Sequence, residues 1–171
     1  HDPSNSKSLS DDYVNDVFVD KSGIVWIGTD IGLDKFDPFT QQFQSIEIPT
    51  FHGEFSVYRN PATIIENVHD PNQLFISVSG AGIYQFDTRT DEFTLYRNNP
   101  TDPNSLPDNT VYTLYQDKSG VLWVGMKSGL CTADKTMKKF TRLHLFPENE
   151  VPGVNKIMEA ADGTFWFASF S

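Results

Sequence analysis

"DKSGIVWIGT" at residues 20–29 returns as "DKSGVLWVGM" at residues 117–126. A gap-free shift of 97 residues also lays Pro3 on Pro100, Ser8 on Ser105, Leu9 on Leu106, Val14 on Val111, Gly32 on Gly129, Leu33 on Leu130 and Phe43 on Phe140. Self-similarity on this scale marks a solenoid, propeller or array, in which one supersecondary unit is written several times. A weaker copy lies between the two. "QLFISVSGAGIYQFDTRTDEF" (73–93) matches "IVWIGTDIGLDKFDPFTQQF" (24–43) with one inserted residue, so Phe75 stands where Trp26 and Trp123 stand. "VNKIMEAADGTFWFAS" (154–169) echoes "VNDVFVDKSGIVWIGT" (14–29) and puts Trp166 in the same column. The anchors Trp26, Phe75, Trp123 and Trp166 are spaced by 49, 48 and 43 residues, so each unit is a little under fifty residues long.

Within one unit, short apolar runs are broken by turn residues, the signature of strands. Residues 14–19, 24–29, 33–36 and 43–48 read as four strands in order. Gly23, with Gly120 and Gly163 at the same place in later copies, can supply the positive φ of a tight turn after "DKS", and "DP" at 37–38 puts proline where a turn wants φ near −65°. In "IVWIGT" the apolar side chains fall on both faces, Trp26 on one and Val25 and Ile27 on the other, so both faces should be buried, as stacked blades require. No long stretch carries apolar residues at the 3.6-residue period of a helix. The expected fold is all-β: a fragment of a β-propeller with about three and a half four-stranded antiparallel blades. The blades are residues 1–50, a divergent 51–98, 99–147, and the first half of a fourth at 148–171. A chain ending after an apolar second strand would leave an open edge and an uncovered face, so self-association with a second copy is expected.

Composition narrows the function. With 14 Phe, 6 Tyr and 3 Trp in 171 residues there is material for a real core. The net charge of −10 would repel phosphate backbones, and no Lys/Arg cluster interleaved with aromatics counters it, so nucleic acid is not an expected partner. No apolar run approaches the roughly 20 residues of a membrane-spanning helix. Cys131 is the only cysteine, which leaves no internal disulfide and no thiolate metal site.

The unit "DPSNSKSLSDDYVNDVFVDKSGIVWIGTDIGLDKFD" and its partner "NPTDPNSLPDNTVYTLYQDKSGVLWVGMKSGL" closely resemble the two-component regulator propeller repeat. The "SL" lead-in, the spaced aliphatics of the first strand, Asp and Gly around the turn, "WIGT", "GL" and "FD" carry the resemblance. Copy two departs from it, lacking the "NSL" lead-in, carrying "DPNQ" at the turn and placing Phe75 for Trp; copy four stops after its second strand. The resemblance implies a large propeller in the periplasmic part of a membrane-bound sensor. Its usual output is a histidine kinase, often a hybrid with receiver and DNA-binding domains, and its implied signal in many gut Bacteroidetes is an oligosaccharide. Phosphorelay output and membrane attachment would lie outside these residues.

Candidate sites follow from where the copies agree and disagree. Trp26, Phe75, Trp123 and Trp166 fit either a sugar-stacking platform or inter-blade core, and an aromatic recurring at one strand position is read as core. Asp20 and Asp117 fit either a calcium ligand or a carboxylate tying the turn through its own backbone, the latter being the expectation. His1, His52, His69 and His144 share no metal-like spacing, so neither a metal nor another cofactor is expected. "DKSG" is not the sialidase-type Asp box, whose Asp and Trp stand one residue closer, and no nucleophile elbow or zinc motif is present, so no catalytic residue is assigned. Shared positions build scaffold while rim loops vary, which makes "PTFHGEFSVYRNPAT" (49–63) the largest departure. His52, Tyr58 and Arg59, with Arg97, are the candidate ligand-binding residues: aromatic rings to pack on a sugar and arginines to clamp a carboxylate or sulfate. The alternative is that this loop only covers a blade edge. The expected function is non-catalytic sensing of a small molecule or oligosaccharide in the periplasm. A protein-binding scaffold and a polysaccharide-active enzyme are its rivals.

Overall fold

The computed structural model describes residues 1–49, 61–145, 147 and 151–170. Its strands form four antiparallel sheets, each wound from consecutive strands. Sheet I is β1 (Val14–Val19), β2 (Val25–Thr29), β3 (Leu33–Asp37) and β4 (Gln42–Ile46). Sheet II is β5 (Pro61–Asn67), β6 (Asp70–Val78), β7 (Gly82–Asp87) and β8 (Glu92–Tyr96). Sheet III is β9 (Val111–Gln116), β10 (Leu122–Met126), β11 (Gly129–Ala133) and β12 (Phe140–Leu143), and sheet IV is the pair β13 (Gly153–Glu159) and β14 (Phe165–Phe170). The fold is the expected all-β propeller fragment. The first three strands of sheet I agree with the reading from sequence to within one residue, and β4 runs 42–46 rather than 43–48.

Register places the repeat columns opposite one another. Trp26 pairs with Phe18, Phe75 with Ile65, Trp123 with Tyr115 and Trp166 with Met158. The turn between the first two strands recurs in sheets I, III and IV. Gly23, Gly120 and Gly163 adopt φ of 89°, 84° and 87°. This left-handed region suits a residue without a Cβ. The amides of these glycines donate to the carbonyls of Asp20, Asp117 and Ala160 at 2.9–3.0 Å.

Sheets stack face on face, and Trp26, Phe75 and Trp123 each fill the seam to the following sheet. Trp26 is 2% exposed and meets the edge of Phe86 of sheet II at 5.8 Å, in a core with Ile64, Leu74 and Ile76. Phe75 joins Leu114, Val124 and Cys131 of sheet III. Trp123 stacks on Phe165 of sheet IV at 4.4 Å. On the opposite face of β10, Leu122 and Val124 are buried against sheet II, which is the two-faced burial the "IVWIGT" pattern requires. The glycine two residues after Trp26 and after Trp123 marks the close approach of the next sheet. A Cβ on Gly28 would lie 2.8 Å from Pro61, and one on Gly125 would lie 2.6 Å from the Val154 carbonyl oxygen.

Trp166 departs from its column. It is 61% exposed, because no further sheet packs on sheet IV among the described residues.

Candidate functional site

The repeated decapeptide owes its chemistry to one carboxylate. Asp20 Oδ1 accepts from the Ser22 amide (2.9 Å), the Ser22 hydroxyl (2.6 Å) and the Ile24 amide (3.1 Å), while Oδ2 accepts from the Trp26 indole N–H at 2.8 Å. Asp117 makes the same set, to Ser119, Val121 and Trp123, the indole bond being 2.7 Å. Burial alone would raise the Asp117 carboxyl, but the hydrogen bonds from Ser119, Trp123 and Val121 outweigh it and hold it below the ordinary range. Both oxygens are thus committed to the turn and the anchor, which makes Asp20 and Asp117 scaffold residues. The indole link is what a reading of turn chemistry alone missed. Its signal was the constant six-residue spacing of Asp and Trp.

The seams carry a second repeated device. The Lys21 amide donates to Glu66 of sheet II at 2.9 Å, the Val68 amide to Gln116 of sheet III at 2.8 Å and the Lys118 amide to Glu159 of sheet IV at 3.4 Å. Where the donor residue is lysine, its ammonium adds an ion pair, Lys21 to Glu66 at 2.6 Å and Lys118 to Glu159 at 3.3 Å. Each turn is therefore latched onto the first strand of the next sheet.

The lead-in loops complete the frame. In residues 99–105 the Ser105 hydroxyl lies within donating distance of the carbonyls of Asn99 (3.0 Å) and Asp102 (2.7 Å), which share its one proton, and accepts from the Asn99 amide at 2.9 Å. Ser8 closes the first lead-in on Asp2 in the same way, at 2.9 Å and 3.0 Å. Leu106 then enters the seam between sheets II and III with no exposed surface.

Against that frame lie the predicted ligand residues. His52, Tyr58 and Arg59 fall outside the described residues. Arg97 lines a groove of about 330 Å³ between the end of β8, the 99–106 lead-in and the hairpin before β12, together with Tyr96, Asn99, Asp102, Met137 and Lys138. Burial pushes the Tyr96 phenol up, and its hydroxyl donates to Gln85 at 2.7 Å, so the ring is held by its tip. On the far side of the same lead-in, Arg142 lines a second groove of about 240 Å³ with Pro100, Pro103 and Phe140, its guanidinium donating to the Ser128 carbonyl at 3.0 Å. The arrangement suits recognition: cations flank a hydrogen-bonded loop that carries amides, beside an aromatic ring. Asp102 is the single carboxylate lining either groove among the described residues.

Blade one holds a further polar site that a search for rim loops does not find. Asp34 is fully buried, and its Oδ2 accepts from the Ser10 amide at 3.3 Å and from the Ser10 hydroxyl, which also meets Thr29 Oγ1 at 3.0 Å. Its Oδ1 has no protein partner among the described residues. The same three columns in the third copy hold Pro107, Met126 and Cys131. That difference between copies was the legible signal. Burial raises the Asp34 carboxyl despite the Ser10 hydrogen bonds. A carboxylic acid whose folded pKa is raised contributes fully below its unfolded pKa and costs stability as pH rises through the folded value. Asp34→Asn is therefore expected to gain on the parent in thermal melts as pH goes from 4 to 7. A gap between the two melting temperatures that does not change with pH would refute it. Cys131 in the same column is inert, burial pushing its thiol up to about 12.

Comparison with known proteins agrees with this architecture. The family model described as two component regulator propeller matches residues 8–30 and 105–128, the two strong copies. Curated proteins gave no match. Among solved structures, the extracellular domain of a hybrid two component system from B. thetaiotaomicron superposes with TM-score 0.77 and 26% identity, over 93% of this chain and 22% of that one. A second extracellular domain of a hybrid two component system from the same organism gives TM-score 0.74 at 22% identity, over 99% of this chain and 23% of that one. An ancestral GH74 enzyme gives TM-score 0.67 at 15% identity, over 96% and 23%, a likeness of fold alone. The chain spans less than a quarter of the length of each of these structures.

Proposed function

We propose that this chain, built on the two component regulator propeller repeats matched at residues 8–30 and 105–128, is part of an extracytoplasmic sensor that binds a ligand without transforming it. The observation that carries this reading is the coincidence of those repeats with a whole-chain likeness, at TM-score 0.77, to the extracellular domain of a hybrid two component system. The periplasm is the compartment this implies. The groove beside the 99–106 lead-in supports recognition of a hydroxylated, acidic ligand, with Arg97 and Lys138 as cationic partners and Tyr96 as the apolar wall. An oligosaccharide bearing uronic or sulfate groups fits that chemistry, since guanidinium and ammonium groups make charge-assisted bonds to such oxyanions. A ligand that prefers one placement of the blades over another shifts their populations, and that bias is the signal an output domain would read.

The test is calorimetry on the whole extracytoplasmic region against neutral, uronic and sulfated oligosaccharides, with product analysis of the same mixtures. An acidic oligosaccharide is expected to bind and be recovered intact, and Arg97→Ala is expected to weaken it about tenfold, the effect of losing one charge-assisted contact. Cleavage products would establish an enzyme instead. Silence across the panel would move the function to a protein-binding scaffold.

A further inference from the structure

The divergent second blade changes a set of columns together. Asn67 follows Glu66 as Asp117 follows Gln116, so it stands in the column of Asp20 and Asp117. Phe75 replaces the indole, and Gln73, two residues before it, stands where the other copies have Ile24 and Val121. Gln85, paired with Phe75, takes the place of Lys35 and Thr132, and Tyr96, paired with Ile83, that of Ile46 and Leu143. Phe75 has no N–H to offer, so a carboxylate at position 67 would lack the indole donor that Asp20 and Asp117 each bind. An amide fills that column instead.

The changed residues form one hydrogen-bonded relay. Asn67 Oδ1 accepts from the His69 amide at 3.0 Å, and Asn67 Nδ2 donates to Gln73 Oε1 at 3.0 Å. Gln85 Nε2 donates to the same oxygen at 2.6 Å, and Gln85 Oε1 accepts from the Tyr96 hydroxyl at 2.7 Å. Its direction is forced from one end. A backbone amide only donates, so Asn67 turns its oxygen to His69 and its N–H₂ to Gln73. Gln73 must then present oxygen, and Gln85 its N–H₂ to Gln73 and its oxygen to Tyr96, which leaves the tyrosine to donate. The latch to sheet III is oriented by the same rule. Gln116 Oε1 accepts from the Val68 amide, so its Nε2 donates to the Gly120 carbonyl at 3.0 Å and approaches Asn67 Oδ1 at 3.5 Å. At the far end the Tyr96 ring lines the groove with Arg97 and Lys138 and lies 6.2 Å from Phe140 of sheet III.

We infer that Gln73 and Gln85 are positioning residues for that groove: they carry the orientation set by the His69 amide to the Tyr96 hydroxyl and fix the ring as the groove wall. Neither is among the described residues that line the groove itself. The consequence for binding rests on the reading of this groove as the ligand site, whereas the placement of the ring does not.

The experiment is a double-mutant cycle in urea unfolding of the chain. Tyr96→Phe removes one hydrogen bond and is expected to raise the unfolding constant about fivefold in the parent. Gln73→Leu removes the shared acceptor while keeping the apolar character that Ile24 and Val121 have in this column. In that background the Tyr96→Phe effect is expected to fall below about twofold. Gln73→Glu keeps an oxygen facing both amide donors, so there the effect is expected to return. A side chain that only filled space would not separate leucine from glutamate in this way. The Cζ chemical shift of Tyr96, which follows hydrogen bonding of the phenol, is expected to move in Gln73→Leu and to be recovered in Gln73→Glu. Additive effects of Tyr96→Phe and Gln73→Leu, or a Gln73→Glu background that behaves as Gln73→Leu does, would overturn the inference.

A second arm repeats the calorimetry on the whole extracytoplasmic region with uronic and sulfated oligosaccharides. Gln73→Leu is expected to weaken binding about fivefold, as the loss of one pre-ordered side chain does, and Gln73→Glu to recover it. Binding that is unchanged in Gln73→Leu would overturn the positioning role. Silence from every oligosaccharide would remove the ligand reading of the groove, and the cycle alone would then decide the placement of Tyr96.

Discussion

Asp117→Ala is expected to destabilise the chain by about 2–4 kcal/mol in urea unfolding, more than a typical single substitution. The carboxylate accepts from two amides and a hydroxyl in its own turn and from the Trp123 indole, and Asp117 is 9% exposed. Alanine leaves those donors to find partners where access to water is limited. Asn keeps one acceptor oxygen and puts an amide N–H₂ against the remaining donors, so Asp117→Asn should fall between parent and alanine. The pH dependence has a definite sign. The folded carboxyl lies below its ordinary value of 3.8, so its contribution is present above that value and is lost as pH falls through the folded one. The gap between parent and Asp117→Ala should accordingly narrow in strong acid. A gap that stays constant as pH falls below 3.8 and on into strong acid would show that the side chain acts through packing instead.

Trp26→Ala is expected to cost about 3–5 kcal/mol, the range for removing a large buried aromatic. Trp26 is 2% exposed, holds the seam between sheets I and II against Phe86, Ile64 and Leu74, and anchors the turn through its bond to Asp20. The loss should exceed that of Asp20→Ala, because both the seam and the turn lose their common member. Doubling the substitution with Asp20→Ala should add less than the sum of the two, since they share one hydrogen bond. Full additivity in the double-mutant cycle would break the link drawn between turn and anchor.

Trp26, Phe75 and Trp123 pack against the following sheets, whereas Trp166, read from sequence as the same inter-blade core position, is exposed. Gly23, Gly120 and Gly163 were legible because positive φ is a local demand, met within four residues. Asp20 and Asp117 were legible in part: an Asp before such a glycine announces a tied turn, but its bond to an indole six residues on depends on the pairing of two strands. Asp34 was legible only as a difference between copies, standing where the third copy has Cys131; nothing in "GLDKFD" announces that Ser10, 24 residues earlier, will fold over it and bury it. Of the ligand-binding expectation, Arg97 lines a groove, while His52, Tyr58 and Arg59 fall outside the described residues.

The amino-acid sequence by itself determined the repeat, the strand order within each blade and the turns, because alternation of side chains and the φ of a turn glycine are decided over a few residues. Only the tertiary structure decided which members of a column are buried. Trp26 and Trp166 share one motif position, yet they stand at 2% and 61% exposure, because burial is conferred by the sheet that packs next to it. The latches of Glu66, Gln116 and Glu159 likewise join residues 41 to 48 positions apart, a distance at which no local pattern names the partner.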